Sequence, residues 1–109
     1  MTAAERPSWF GLSFTYRIEG YTRWLQLCAV APNGPAARAG LQKGDQITHI
    51  DQKPIAFASD RAVLQFLARS RRITFRVARG TRAFDVTVTG LPMTDIQLRT
   101  YERNLSVAH

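Results

Sequence analysis

Ala31-Pro32-Asn33-Gly34-Pro35-Ala36-Ala37-Arg38-Ala39-Gly40-Leu41-Gln42-Lys43-Gly44-Asp45-Gln46-Ile47 is the stretch on which the fold turns. Pro32-Asn33-Gly34-Pro35 is strong turn punctuation. Pro35 suits the first turn of a short helix, where its missing N–H costs nothing, and this predicts a helix from Ala36 to Ala39. Gly40 closes that helix, because it adopts the left-handed conformation that a helix end needs. Asp45, directly after Gly44, is expected to fix a turn rather than to perform chemistry. Ile47 then opens a short strand to Ile50, which Asp51-Gln52-Lys53-Pro54 turns back.

Upstream, Leu12 to Ile18 reads as a strand entered through a step at Gly11. Side chains alternate along a strand, so Phe10, Leu12 and Phe14 share a face. Gly20 marks a turn, and Trp24 to Val30 is a second strand, apolar enough to predict burial on both sides. Downstream, Ser59 caps a helix that starts near Asp60. Val63, Leu64, Phe66 and Leu67 give this helix an apolar stripe. Ile73 to Ala78 and Phe84 to Thr89 alternate at period two around Arg79-Gly80-Thr81-Arg82, which predicts a β-hairpin. Asp95 to Tyr101 also alternates and is expected to form a final strand, with a frayed tail from Asn104 to His109.

The length of 109 residues suits one domain rather than two. No apolar run is long enough to span a bilayer, and Met1 to Arg6 lacks the apolar core of a signal peptide. A single cysteine excludes an internal disulfide, and the apolar neighbours of Cys28 predict a buried, inert thiol. The net charge of +7 would suit a polyanion. Its densest stretch (Arg69, Arg71, Arg72, Arg76, Arg79 and Arg82) is expected to form a solvated face around the hairpin. Phe75 and Phe84 alternate there as core positions do, unlike the exposed stacking aromatics of a nucleic-acid binder, so no nucleic acid is expected as a partner. The sequence holds no His-Glu-x-x-His or Gly-x-Ser-x-Gly motif, no Gly-x-Gly phosphate loop and no metal-ligand spacing. His49, flanked by apolar strand positions, reads as structural. No catalysis, cofactor or metal is expected.

The run from Ala31 to Ile47 resembles the "Pro-Ala-x-x-Ala-Gly-Leu-x-x-Gly-Asp-x-Ile" signature of the PDZ domain. Trp9-Phe10-Gly11-Leu12-Ser13-Phe14 resembles the loop with which that family binds carboxylates, and the likeness extends to about residue 90. The resemblance implies an α+β, mainly β fold: a partly open antiparallel barrel or sandwich of five to six strands, capped by two helices. With little chain before Trp9, it also implies the permuted strand order of bacterial members, in which a C-terminal strand (here Asp95 to Tyr101) fills the place of a leading one. The domain is expected to span residues 8–101, with 1–7 and 102–109 as flexible termini.

The resemblance further implies a groove that captures protein C-termini or extended peptides by β-augmentation. Its edge would be Leu12, Ser13, Phe14 and Thr15, facing the helix from Asp60 to Leu67. The peptide carboxylate would sit at the amides of Phe10, Gly11 and Leu12, where convergent N–H donors hold an anion without a counter-charge, with Arg6 as a possible helper. Phe10, Leu12, Phe14, Leu64 and Leu67 would line the pocket for the last side chain, and two phenylalanines on one wall favour a small or medium apolar residue. Many members carry histidine at the first helical position. Asp60 stands there in this chain, and it either selects a donor two residues before the peptide end or only complements the helix N-terminus.

PDZ domains of this style sit within larger bacterial proteins, so the expected setting is the envelope, the periplasm or the cytoplasm, as part of a longer chain. Gly90-Leu91-Pro92-Met93-Thr94-Asp95-Ile96-Gln97-Leu98 is similar to the close of glycyl aminopeptidase-like metallopeptidases. A non-catalytic, substrate-capturing or regulatory part of a bacterial peptidase is therefore expected, with the parent peptidase domains as partners. Two alternatives stand beside it: a docking module whose groove is closed, and a polyanion binder using the arginine face.

Overall fold

The computed structural model describes residues 5–55 and 59–108. In chain order the elements are β1 (Ser8–Trp9), β2 (Leu12–Glu19), β3 (Thr22–Val30), α1 (Pro35–Arg38), β4 (Gln46–Ile50), β5 (Lys53–Pro54), α2 (Asp60–Arg69), β6 (Arg72–Arg79), β7 (Arg82–Thr89), β8 (Leu91–Pro92) and α3 (Asp95–Val107). The main sheet runs β2-β3-β4-β6-β7, with β5 hairpinned onto β4, and β1 pairs with β8 in a separate two-stranded clip. Every pairing is antiparallel. The sheet stays open, with β2 and β7 at its edges, so the fold is the mainly β, partly open PDZ-like arrangement expected, with three helices among the described residues where two were expected.

Local chemistry accounts for the elements that place the site. Pro35 occupies the first turn of α1. Ser59 caps α2, its hydroxyl accepting from Ala62 N at 3.2 Å. Asp51 (φ 49°) and Gln52 (φ 70°) both take positive φ, as the primed turns of two-residue hairpins require. Asp51 then locks its turn to β6: Thr74 N donates to its Oδ1 at 2.9 Å, and its own amide donates to Thr74 O at 2.8 Å. Ile73, Phe75 and Val77 of β6 pack against Leu25, Leu27 and Ile47, and Val63 and Leu67 of α2 close the core.

Two strand expectations need correction. β3 is buried on one face alone: Leu25 and Leu27 are enclosed while Cys28 is exposed. The β2–β3 register skips Cys28 between the Ser13–Ala29 and Phe14–Leu27 pairs, and Cys28 is exposed together with Ala29 while Leu27 is buried, so it is not a core thiol; its Sγ lies 2.8 Å from Thr15 Oγ1 on the outer surface. Asp95 to Tyr101 is the first half of a helix, not a strand. Thr94 Oγ1 accepts from Gln97 N at 3.2 Å and Gln97 Oε1 accepts from Thr94 N at 2.9 Å, a capping box that commits the segment to helix. The strand beside the N-terminus is instead β8, two residues long and paired Ser8 to Pro92 and Trp9 to Leu91. α3 continues to Val107, so residues 102–107 are helical; residues 1–4 and 109 of the expected flexible ends lie outside the described residues.

Candidate functional site

The loop between β1 and β2 is held by its carbonyls. Ala36 N, at the start of α1, donates to Phe10 O at 2.9 Å, and Ala31 N donates to Gly11 O at 2.8 Å. Gly11 sits at φ +73°, a conformation that costs any residue with a Cβ. The Phe10 ring is buried beneath Gly90, where an added Cβ would lie 3.0 Å from its Cζ.

From this loop β2 runs as an edge strand, paired among the described residues with β3 on one side only. Leu12, Phe14 and Tyr16 turn toward the core, while Ser13, Thr15 and Arg17 are exposed. α2 faces the free edge. Between them, at the loop end, lies a cavity of about 80 Å³ lined by Phe10, Gly11, Leu12, Phe14, Leu64 and Leu67, and completed by Met93 and Tyr101 from the C-terminal segment. A second cavity of about 330 Å³ continues along the edge past Leu12, Ser13, Phe14, Leu64 and Asp60. The expected site residues thus come together around two adjoining spaces, apart from the Thr15 side chain, which points to the outer face with Cys28.

Sequence reasoning missed the residues that α3 brings. Tyr101 borders the smaller cavity, and Asn104, Val107 and Ala108 border the larger one. Arg61 on α2 donates from Nη1 to Leu105 O at 2.7 Å. Arg6 is engaged at the other end of α3: it donates to Met93 O at 3.0 Å and pairs with Asp95 at 2.6 Å. Its hydrogen bond and charge hold the Asp95 carboxyl below the ordinary range. Arg6 therefore anchors the start of α3.

The arginine-rich hairpin is largely occupied with its own structure. Arg79 binds buried Asp45, Arg76 pairs with Asp85 at 3.3 Å, and the guanidinium groups of Arg79 and Arg82 lie 5.0 and 5.4 Å from the Phe84 ring centroid. Phe75 is in the core. His49 Nδ1 shares a hydrogen bond with Thr48 Oγ1 at 2.9 Å. Among the described residues no three His, Cys, Asp or Glu side chains are grouped to hold a metal ion, and no helix is long and apolar enough to cross a membrane.

Comparison with known proteins agrees with this architecture. Residues 26–79 match the family model described as "PDZ domain". The solved structure of the HtrA-type protease AlgW with a decapeptide is 25% identical with a TM-score of 0.68, over 82% of this chain and 30% of that one. The HtrA3 PDZ domain bound to a phage-derived ligand is 19% identical with a TM-score of 0.66, over 76% of this chain and 84% of that one. An aminopeptidase N family protein from Idiomarina loihiensis is 21% identical with a TM-score of 0.66, over 84% of this chain and 15% of that one. The chain thus spans less than a third of the AlgW chain. No curated protein matches it.

Proposed function

This chain carries a PDZ domain, and on that premise we propose that it is a non-catalytic module that captures protein C-termini or extended peptides along β2. The observation that carries the reading is the conjunction of a β2 edge left unpaired among the described residues with an apolar cavity at its loop end. A peptide strand pairs with Leu12 to Thr15, its carboxylate meets the amides of Phe10, Gly11 and Leu12, and its last side chain enters the smaller cavity. Ladder bonds give affinity and the pocket gives selectivity. The peptide-bound states of the AlgW and HtrA3 structures support this assignment, and the protease setting of AlgW supports a role as the substrate-capturing or regulatory part of a bacterial peptidase.

NMR titration with peptides prepared as free acids and as C-terminal amides tests it. Shifts at the amides of Phe10, Gly11, Leu12 and Leu64 are expected with the acid and lost with the amide; no shift with any peptide overturns it. One observation favours a second reading, a docking module with a closed groove: the C-terminal half of α3 stands across the larger cavity, with Arg61 bound to it. The polyanion reading is weaker, because Arg76 and Arg79 are paired with carboxylates.

A further inference from the structure

Resting on the peptide-groove reading, we propose that Tyr101 of α3 is a size filter for the last residue of the peptide, a specificity determinant outside the β2–α2 groove.

The smaller cavity is bounded by Phe10, Leu12, Leu64 and Leu67 on the domain side, and Tyr101 approaches it from α3. With that side chain in place the space is about 80 Å³, which favours a small branched side chain over an aromatic one. Apolar pockets reward each methylene that fits and penalise each that overfills.

Tyr101 filters only if its helix is held in place, and α3 is fixed at both ends. At its start stand the Thr94–Gln97 capping box and the bonds from Arg6 to Met93 O and Asp95. Near its end Arg61 binds Leu105 O. Between them Leu98, Tyr101 and Leu105 are half-buried at helical spacing, whereas Ile96 and Val107 are exposed. The inward stripe is therefore the one that carries Tyr101. No residue of α3 is fully buried, so the helix serves as a wall to the pocket and not as part of the core.

Calorimetric titration of the full chain tests the proposal with peptides identical except for a last residue of Ala, Val, Leu or Phe. The unsubstituted protein is expected to favour Ala and Val over Phe by about tenfold or more. Tyr101→Phe retains that order, because the ring and not the hydroxyl forms the wall. Tyr101→Ala shifts the preference to Leu and Phe, and Tyr101→Trp narrows the pocket so that Val is lost before Ala. The Trp variant keeps the test open should the Ala variant loosen α3. An equal gain for all four peptides with Tyr101→Ala would mean that α3 only competes with the ligand, and it overturns the filter while leaving the groove intact. An unchanged order in both variants also overturns it. Absence of binding by every form sinks the groove reading itself, and the filter with it.

Discussion

Arg79 and Asp45, on strands and turns far apart in sequence, meet in a two-pronged ion pair. Arg79 Nε lies 2.8 Å from Oδ1 and Nη2 lies 2.7 Å from Oδ2. Asp45 is 2% exposed, and it also accepts from Gln42 N at 2.9 Å. Arg79 donates in addition to Gly40 O at 2.9 Å. One side chain of β6 thereby fastens the turn after α1 to the main sheet.

Asp45→Ala removes these charged hydrogen bonds and is expected to cost about 2 kcal/mol, read from denaturant unfolding. Arg79→Ala should destabilise more than Arg76→Ala, because it strands a buried carboxylate whereas the Arg76–Asp85 pair is about half exposed. Equal effects of the two arginine variants would refute this account.

Burial would raise the Asp45 carboxyl, but the Arg79 hydrogen bond, the Gln42 amide and the Arg79 charge outweigh it and hold it below its ordinary value of 3.8. A depressed carboxyl contributes stability in full above its unfolded value and loses it as pH falls through the folded one. The difference in melting temperature between the protein and Asp45→Asn is therefore expected to be constant from about pH 7 to about pH 5. It should shrink as pH falls through 3.8 toward the lower folded value. A difference that closes already near neutrality would contradict the pairing.

Gly11→Ala places a Cβ at φ +73° and is expected to cost about 1–2 kcal/mol. Gly90→Ala sets a Cβ 3.0 Å from both Phe10 Cζ and Ser8 Cβ, an overpacking worth about 1–3 kcal/mol. Both should weaken peptide binding beyond their effect on stability, since each disturbs the Phe10–Gly11 loop. Thermal melts with parallel titrations separate the two effects.

Asp60 borders the larger cavity at the N-terminus of α2. A peptide with Lys two residues before its end is expected to bind about fivefold more tightly than one with Glu there, a preference of roughly 1 kcal/mol typical of an exposed charge pair. Asp60→Ala should erase that preference, and added salt should weaken it. Identical selectivity before and after substitution would confine Asp60 to its role at the helix end.

Cys28 is expected to react with a thiol reagent in the folded protein at a rate that denaturant hardly raises, because its side chain is on the outer face of β3. Protection until unfolding would restore the buried assignment.

Segments whose residue types admit a single backbone solution were legible from the sequence. Pro35 and Gly40 marked α1, Ser59 marked α2, and the Gly80 turn between two alternating runs marked the β6–β7 hairpin. Leu12, Phe14, Leu64 and Leu67 could be placed around one pocket by family resemblance, whereas α3 misled the period-two reading. Ile96 and Leu98 alternate over too few residues to distinguish strand from helix, and the deciding signals were Thr94 three positions before Gln97 and the spacing of Leu98, Tyr101 and Leu105. Cys28 was misjudged from its neighbours in sequence rather than its neighbours in space. The Arg79–Asp45 pair and the anchoring role of Arg6 were beyond local reading, since both depend on contacts between distant segments.

The β1–β8 clip has a topological consequence. Ser8 faces Pro92, and Met93 N reaches Pro7 O at 3.0 Å, so the path from residue 8 to residue 92 is a closed ring of chain, entered and left at one point. A ring is indifferent to where it is cut. Such a body can be spliced into a host chain without stretching it, or reopened at the Gly80 turn with its old ends joined, and keep the same neighbours throughout.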